Sequence, residues 1–178
     1  YRFCNIYREL DKVTEWIMGN WVKPNLDNEN IMCLALTGRL INHPDTLQLM
    51  IDEGFDFKRK PNTERLFKLF DKIRQTPNTQ LVTGAYIVNT IFPKGFEKIN
   101  GSKADYLANF FIPAVWELRK DLRAGLDTGS FGAVVDAFKR VHGIGAFIGN
   151  QAAVDLSYTP LLSKAKDIDT TWNPRSEE

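Results

Sequence analysis

The most informative stretch of the sequence is "RVHGIGAFIGNQAAVDL", residues 140–156. Two glycines, Gly143 and Gly145, enclose Ile144; an amphipathic run precedes them, and small residues follow. Glycine adopts positive φ and lets another segment approach its backbone closely. The stretch therefore predicts a tight turn between two helices, with Ile144 packed into the groove between them.

The residues on both sides of this turn fit a helix-hairpin-helix over 131–156. The preceding helix has an apolar stripe at helical spacing, formed by Phe131, Val134, Val135, Phe138 and Val141. The following helix carries mostly small side chains, which allow the two helices to pack closely: Gly149, Gln151, Ala152 and Ala153. Amide groups at a helix N-terminus bind phosphate, so we predict contacts to the DNA backbone at His142, Gly143, Ile144 and Gly145. A tight turn without any ligand is the alternative.

Helical spacing of apolar residues continues through the rest of the chain, and no strand-like alternation persists. Further helices are predicted to begin near Phe3, Asn30, Asp45, Asn62, Thr83 and Ser102. Pro113 is expected to kink or divide the last of them. The sequence thus predicts an all-α bundle of about eight helices. We expect residues 1–158 to form one helical domain and 159–178 an irregular polar segment, and the sequence leaves open whether the chain continues beyond it.

Composition excludes several classes of protein. The chain has 178 residues, 43% hydrophobic and 25% charged, with a net charge of +1, which is typical of a globular domain without a strongly basic coat. No apolar run could span a membrane and the N-terminus has no signal-peptide pattern, so we expect a cytoplasmic protein without a membrane partner. Two cysteines and two widely spaced histidines favour neither a disulfide framework nor a metal site, and no cofactor is expected.

The N-terminal segment carries a second pattern. Asn5, Arg8 and Asp11 follow one another at intervals of three residues, so one side of a helix can present all three. The simplest interpretation is a surface ion pair, which contributes at most about 1 kcal/mol.

Two further observations accompany this trio. The full pattern comprises Phe3, Asn5, Tyr7, Arg8, Asp11, Val13, Thr14, Trp16 and Ile17, and a second piece comprises Arg39, Asn42, Pro44, Thr46 and Leu47. Together with the hairpin and the following Asp155 and Tyr158, they resemble a helical family from phage thymidine hypermodification. That family includes the helical domain of 5-hydroxymethyluracil DNA kinases. It also includes alpha-glutamyl/putrescinyl thymine pyrophosphorylases, also called amino acid:DNA transferases.

The resemblance implies a fold like that of helix-hairpin-helix DNA glycosylases and a reaction on a base flipped out of DNA. An upstream DNA base kinase phosphorylates or pyrophosphorylates the 5-hydroxymethyl group, and an amine or amino acid then replaces pyrophosphate. Arg8 and Arg39 would hold pyrophosphate, and Asp11 or Asp155 would orient groups or accept a proton; these four are the predicted catalytic residues. The predicted substrate-binding residues are Asn5, Tyr7, Asn42, Gln151 and Tyr158, of which Asn5 or Asn42 would bond the uracil edge.

Two alternatives stay open at this point. The chain lacks a GxxxxGK[ST] loop, so a kinase would need another domain, and the chain could be the non-catalytic DNA-binding part of such an enzyme. It could also be a DNA glycosylase, with Asp167, Asp169 or Asp155 as the catalytic carboxylate. Each predicted site residue also has a structural explanation: Arg39 could neutralise a helix dipole and Asn42 could shape a turn.

Overall fold

A computed structural model describes residues 11–84, 92–96, 98 and 100–168, and no strand occurs among them. The helices are α1 (Lys12–Trp16), α2 (Ile31–Ile41), α3 (Pro44–Asp52), α4 (Thr63–Gln75), α5 (Lys103–Asp105), α6 (Ile112–Glu117), α7 (Arg119–Asp127), α8 (Phe131–Lys139) and α9 (Ala146–Ser157). A π turn (Ile17–Val22) and a 3₁₀ turn (Lys23–Asn25) prolong α1, and a second π turn (Tyr106–Phe111) joins α5 to α6. The all-α prediction is confirmed.

Local capping signals explain several helix starts. Asn62 caps α4 through its side-chain oxygen, and Ser102 caps α5 in the same way. The prediction that Asp45 caps the third helix is wrong: His43 occupies the cap position, and Asp45 lies in the first turn of α3. The reason is Pro44, which suits the first helical position because it needs no amide partner there. The helix predicted from Thr83 lies largely outside the described residues.

Pro113 does not break the helix it belongs to. It lies near the start of α6, directly after the π turn Tyr106–Phe111. Proline has no N–H to donate and crowds the preceding turn, and a widened π turn is a common way for a helix to absorb such a disturbance. The helical segment from α5 to α6 is therefore continuous, and most of the π turn within it is buried.

The core is built around α2, whose eleven residues are all buried. This agrees with its nearly continuous apolar sequence. The helices α9 and α7 pack against it, and α8 packs between α7 and α9. On another side, the Trp21 indole donates to the Leu34 carbonyl at 2.7 Å and lies so close to Gly38 that a Cβ there would be 2.8 Å from the ring.

The described part of the C-terminal segment folds back onto α8. The carboxylate of Asp167 accepts hydrogen bonds from the Gly132 and Phe131 amides and from the Ser130 hydroxyl, at 2.7–2.9 Å. These bonds, led by the one from Gly132, lower the pKa of Asp167 to about 2. Residues 159–168 contain no long helix, and Asp167 binds them to the N-terminus of α8. The domain boundary at 158 stays a prediction.

Replacing Asp167 with asparagine should therefore reduce stability by roughly 1 kcal/mol at neutral pH, the effect of losing a helix cap. Because folding lowers the pKa of this carboxyl, its contribution is present above its ordinary pKa of 3.8 and disappears as pH falls towards 2. Urea unfolding of the wild type and Asp167→Asn at pH 7 and pH 2.5 measures this, with Asp136→Asn on the exposed face of α8 as the control. An equal difference at both pH values would contradict the capping role.

Candidate functional site

The predicted turn between two helices is present at 140–145. The Ile144 amide donates to the Val141 carbonyl at 3.0 Å, and the Ile144 side chain is buried between the helices. Gly143 has φ +85°, the left-handed conformation that favours glycine. Gly145 is extended and stands at the cap position of α9 without a side chain to bond the first amides of that helix. We call α8, this turn and α9 the α8–α9 hairpin.

A buried tyrosine fixes the inner side of this turn. A Cβ on Gly143 would lie 2.5 Å from the Tyr106 hydroxyl oxygen, so the turn has room only for glycine at that position. Burial raises the pKa of Tyr106 to about 12, and the phenol therefore stays neutral. Tyr106 belongs to an aromatic cluster in which Phe110 contacts it and also meets the His142 ring edge to face. Sequence reasoning missed Tyr106, because nothing local indicates that it approaches a glycine 37 residues away.

The predicted contacts to the DNA backbone differ in what they can offer. His142, Gly143 and Gly145 are exposed, so a phosphate could approach them. Ile144 is buried, and its amide already donates to Val141 within the turn. In this conformation Ile144 does not offer that amide to a phosphate, and its predicted contact to the DNA backbone stays a prediction. Its role is to join the two helices.

The second site is an ion pair buried between α2 and α9. The Arg39 guanidinium donates through Nε and Nη2 to the two carboxylate oxygens of Asp155, the second bond measuring 2.6 Å. Arg39 and Asp155 are both 0% exposed. A two-bond fork of this kind is the strongest geometry for an arginine–carboxylate pair. It connects residues that are 116 positions apart in the chain.

Other polar groups complete this cluster. Arg39 Nη1 donates to the Asn42 side-chain oxygen at 2.9 Å, and Nη2 donates to the Thr14 hydroxyl at 3.0 Å. Thr14 in turn donates to Asp11, which also accepts from the Thr14 amide as the cap of α1. We call Arg39, Asp155, Asn42 and Thr14 the arginine cluster. Thr14 was missed as a polar partner because the sequence alone does not place α1 against α2.

The cluster explains part of the second sequence motif. Asn42 ends α2 with φ 45°, and its backbone N–H donates to the Gly38 carbonyl. Asparagine tolerates this left-handed conformation better than most residues. Pro44 then begins α3, and the Thr46 hydroxyl donates to the Gln80 carbonyl at 3.2 Å. These residues thus form the corner between α2 and α3, whatever further role they have.

The remaining predicted residues are distributed as follows. Asn5, Tyr7 and Arg8 lie outside the described residues. Tyr158 ends α9 and is 40% exposed. Gln151 is buried one helical turn before Asp155, and its side-chain oxygen has no hydrogen-bond partner. The structure therefore brings Arg39, Asn42 and Asp155 together and links Asp11 to them through Thr14.

Arg39 is placed to hold Asp155 rather than to meet a ligand directly. Four of its five N–H donors point to Asp155, Asn42 and Thr14, and the side chain has no exposed edge. The predicted grip of Arg39 on pyrophosphate would require this arrangement to open. The catalytic assignments of Arg8, Asp11, Arg39 and Asp155 stay predictions.

A cavity of about 270 Å³ opens between α3 and α4, and no predicted site residue lines it. Among the described residues, no group of three or more histidine, cysteine or acidic side chains could hold a metal ion, and no helix is long and apolar enough to cross a membrane.

These features define an all-helical domain in which a glycine turn joins α8 to α9 and a buried ion pair connects α9 to α2. The chain belongs to the family described as "5-hmdU DNA kinase, helical domain", whose model matches residues 1–171. Comparisons with curated proteins and with solved structures find no significant match. The predicted relationship to the helical domain of 5-hydroxymethyluracil DNA kinases is thus confirmed, whereas the glycosylase-like fold and the narrower transferase assignment stay predictions.

Proposed function

We propose that this domain modifies thymine-related bases in DNA. The substrate is a 5-pyrophosphoryloxymethyluracil made by an upstream DNA base kinase, and an amine or amino acid displaces the pyrophosphate. The observation that carries the proposal is the arginine cluster, which joins α2 to the second helix of the α8–α9 hairpin in a member of a 5-hmdU DNA kinase family. The expected setting is the cytoplasm, that of the host for a phage protein.

The hairpin supplies the grip on DNA in this proposal. The exposed backbone at Gly143 and Gly145 and the N-terminus of α9 offer amide groups and partial positive charge to a phosphate. Such contacts position the DNA but do not read its sequence. The base must leave the duplex before side chains can reach its 5-substituent.

The reaction needs a group that accepts a proton. The amine nitrogen attacks the exocyclic methylene carbon, the carbon–oxygen bond to pyrophosphate breaks, and the amine loses one proton. Asp155 is the carboxylate on α9 that we assign to take this proton once the arginine cluster opens. Arg39 is a positioning residue that orients Asp155, and Asn42 in turn holds Arg39. Asp155 lies about 15 Å along α9 from Gly145, since each helical residue advances about 1.5 Å. In this proposal Arg8 is the residue that holds the pyrophosphate.

Product analysis tests the proposal. The protein is incubated with DNA containing pyrophosphorylated 5-hydroxymethyluracil and an amine or amino acid, and the digested nucleosides are examined by mass spectrometry. A new nucleoside carrying the amine supports transfer. Unchanged DNA would correspond to a non-catalytic binding domain, and a released free base to a glycosylase; either result contradicts the proposal. Asp167, one of the candidate carboxylates for a glycosylase, caps α8 in the structure.

Arg8→Ala is expected to lower transfer at least a hundredfold without changing the melting temperature. The reason is that a leaving pyrophosphate requires a cationic partner. Arg74→Ala, which removes only an exposed pair with Asp71, is the matched control. Wild-type turnover in Arg8→Ala would remove Arg8 from the site.

Gly145→Val is expected to weaken DNA binding about tenfold, a loss of roughly 1.4 kcal/mol. A Cβ at Gly145 meets nothing within 4 Å, so the added branches project from the exposed turn without disturbing the fold. Because phosphate contacts are independent of the base, modified and unmodified DNA should lose affinity equally. Fluorescence anisotropy measures this, with Ala124→Val on the exposed side of α7 as the control. Unchanged affinity would show that DNA does not approach this turn.

A further inference from the structure

Gln151 carries an unsatisfied acceptor in the interior of the protein. The residue is 7% exposed, and its side-chain oxygen Oε1 has no hydrogen-bond partner. A buried acceptor without a donor destabilises a protein, and most such groups in native structures are satisfied. An orphaned carboxamide oxygen therefore calls for a donor that the described residues do not supply.

The position of Gln151 relates it to both parts of the candidate site. It lies on the same face of α9 as Asp155, one helical turn closer to the glycine turn. Along the helix axis it is about 9 Å from Gly145 and about 6 Å from Asp155. A nucleotide whose phosphate is held at the turn and whose 5-substituent reaches Asp155 would have its base between the two, at the level of Gln151.

We propose that the Gln151 carboxamide reads the N3–H edge of an everted uracil-type base; this inference rests on the proposed function. Uracil presents a donor at N3, and Oε1 is an acceptor that lacks one. Cytosine presents an acceptor at N3, so with the carboxamide oriented as it is in the structure two acceptors would face each other. Gln151 thereby selects 5-substituted uracil over 5-substituted cytosine.

The other amide predicted to bond the uracil edge is already engaged. The side-chain oxygen of Asn42 accepts from Arg39 at 2.9 Å and holds the corner between α2 and α3. Asn5, the remaining predicted reader, lies outside the described residues. Because Oε1 of Gln151 is enclosed, neighbouring side chains must move as the base enters. The acceptor then gains the donor that it lacks.

The test compares two single-stranded DNAs of identical flanking sequence. One carries a single 5-hydroxymethyluracil and the other a single 5-hydroxymethylcytosine, so that neither has a pairing partner to break. The wild type is expected to bind the uracil strand at least tenfold more tightly. The uracil base gains a hydrogen bond to Gln151, whereas the cytosine base leaves the Gln151 acceptor unsatisfied. Gln151→Met, which keeps the chain length without polar atoms, should bring this ratio close to one and leave affinity for the cytosine strand unchanged.

Two controls make the outcome specific. Gln48→Met replaces an exposed glutamine on α3 and should leave the ratio at its wild-type value. The melting temperature of Gln151→Met should stay the same or rise, because the substitution removes an unsatisfied buried acceptor. If Gln151→Met does not fold, Gln151→Asn withdraws the amide by one methylene and provides the same comparison.

The readout separates this inference from the proposed function. A preference for uracil that vanishes in Gln151→Met supports the inference even if no new nucleoside forms, in which case only the proposed transfer fails. An unchanged preference in Gln151→Met overturns the inference even if transfer occurs. A wild type that binds both strands equally overturns it as well.

Discussion

Asp155→Asn lowers the free energy of unfolding by about 3–5 kcal/mol in our expectation, the cost of leaving a buried charge without its counterion. The buried charge left behind is the Arg39 guanidinium. Its Nε and Nη2 both point to the Asp155 carboxylate, and both residues are 0% exposed. An asparagine amide offers only one acceptor oxygen and no charge, so solvation of the guanidinium is lost without replacement.

Urea unfolding followed by circular dichroism measures this difference. The matched control is Glu53→Gln, which removes the carboxylate from an exposed pair with Arg65 of similar length, 2.6 Å. That substitution should cost less than about 1 kcal/mol, because water and salt screen an exposed pair. The contrast between the two pairs isolates the effect of burial.

A double variant distinguishes an unpaired charge from a damaged helix contact. Arg39→Met combined with Asp155→Leu removes both charges, and it should recover much of the stability lost in Asp155→Asn, because apolar residues often replace a buried pair without loss. The same variant should not transfer an amine, since it lacks the carboxylate. If Asp155→Asn costs less than about 1 kcal/mol, the pair is not desolvated as the structure describes.

The arginine cluster also shows how far sequence reasoning can go at this site. The spacing of Arg39 and Asn42 predicted that one helix end presents both, and they do hydrogen-bond to each other. Asp155 was a separate candidate, but nothing local joins it to Arg39, because their contact depends on how α9 packs against α2. Periodicity identifies the faces of helices, whereas the partner of a face is decided by the whole fold.

Two of the candidate carboxylates cap helices in the structure. Asp11 accepts from the amide and hydroxyl of Thr14 as a cap of α1, and Asp167 caps α8. For Asp11 the signal was available, since an aspartate directly before the first helical residue is typical of a cap. For Asp167 it was not, because the capped helix begins 36 residues earlier in the chain. The shape of the glycine turn was predictable because the two glycines and the helix-forming residues on both sides of them are neighbours in the sequence. Its contact with Tyr106 was not predictable in this way.

That contact leads to the second large effect. Gly143→Ala is expected to destabilise the protein by about 3 kcal/mol. Part of this is conformational, because φ at Gly143 is +85° and side chains other than hydrogen are strained there. The rest is steric, because the new Cβ would lie 2.5 Å from the hydroxyl oxygen of Tyr106, a buried ring with little freedom to move.

Two comparisons separate these contributions. Gly129→Ala changes a glycine with φ +69° and nothing within 4 Å of the new Cβ, so it reports the conformational part alone, about 1–2 kcal/mol. Tyr106→Phe removes the hydroxyl oxygen and leaves the nearest remaining ring atom, Cζ, 3.8 Å away, an ordinary contact distance. The double variant Gly143→Ala, Tyr106→Phe should therefore lose less free energy of unfolding than the sum of the losses in the two single variants, by about 1 kcal/mol or more. Additive effects would mean that Tyr106 does not confine the turn.

The same variants connect the shape of the turn to its proposed role. Gly143→Ala leaves the exposed backbone chemistry of Gly145 unchanged but must displace either the turn or Tyr106. If the amide groups grip a phosphate only in the present conformation, DNA affinity of the folded protein should fall with Gly143→Ala and recover in the double variant. Anisotropy at a temperature where both variants are fully folded measures this. Full affinity in Gly143→Ala would show that the turn holds DNA in no fixed geometry, and Tyr106 would then be a core residue only.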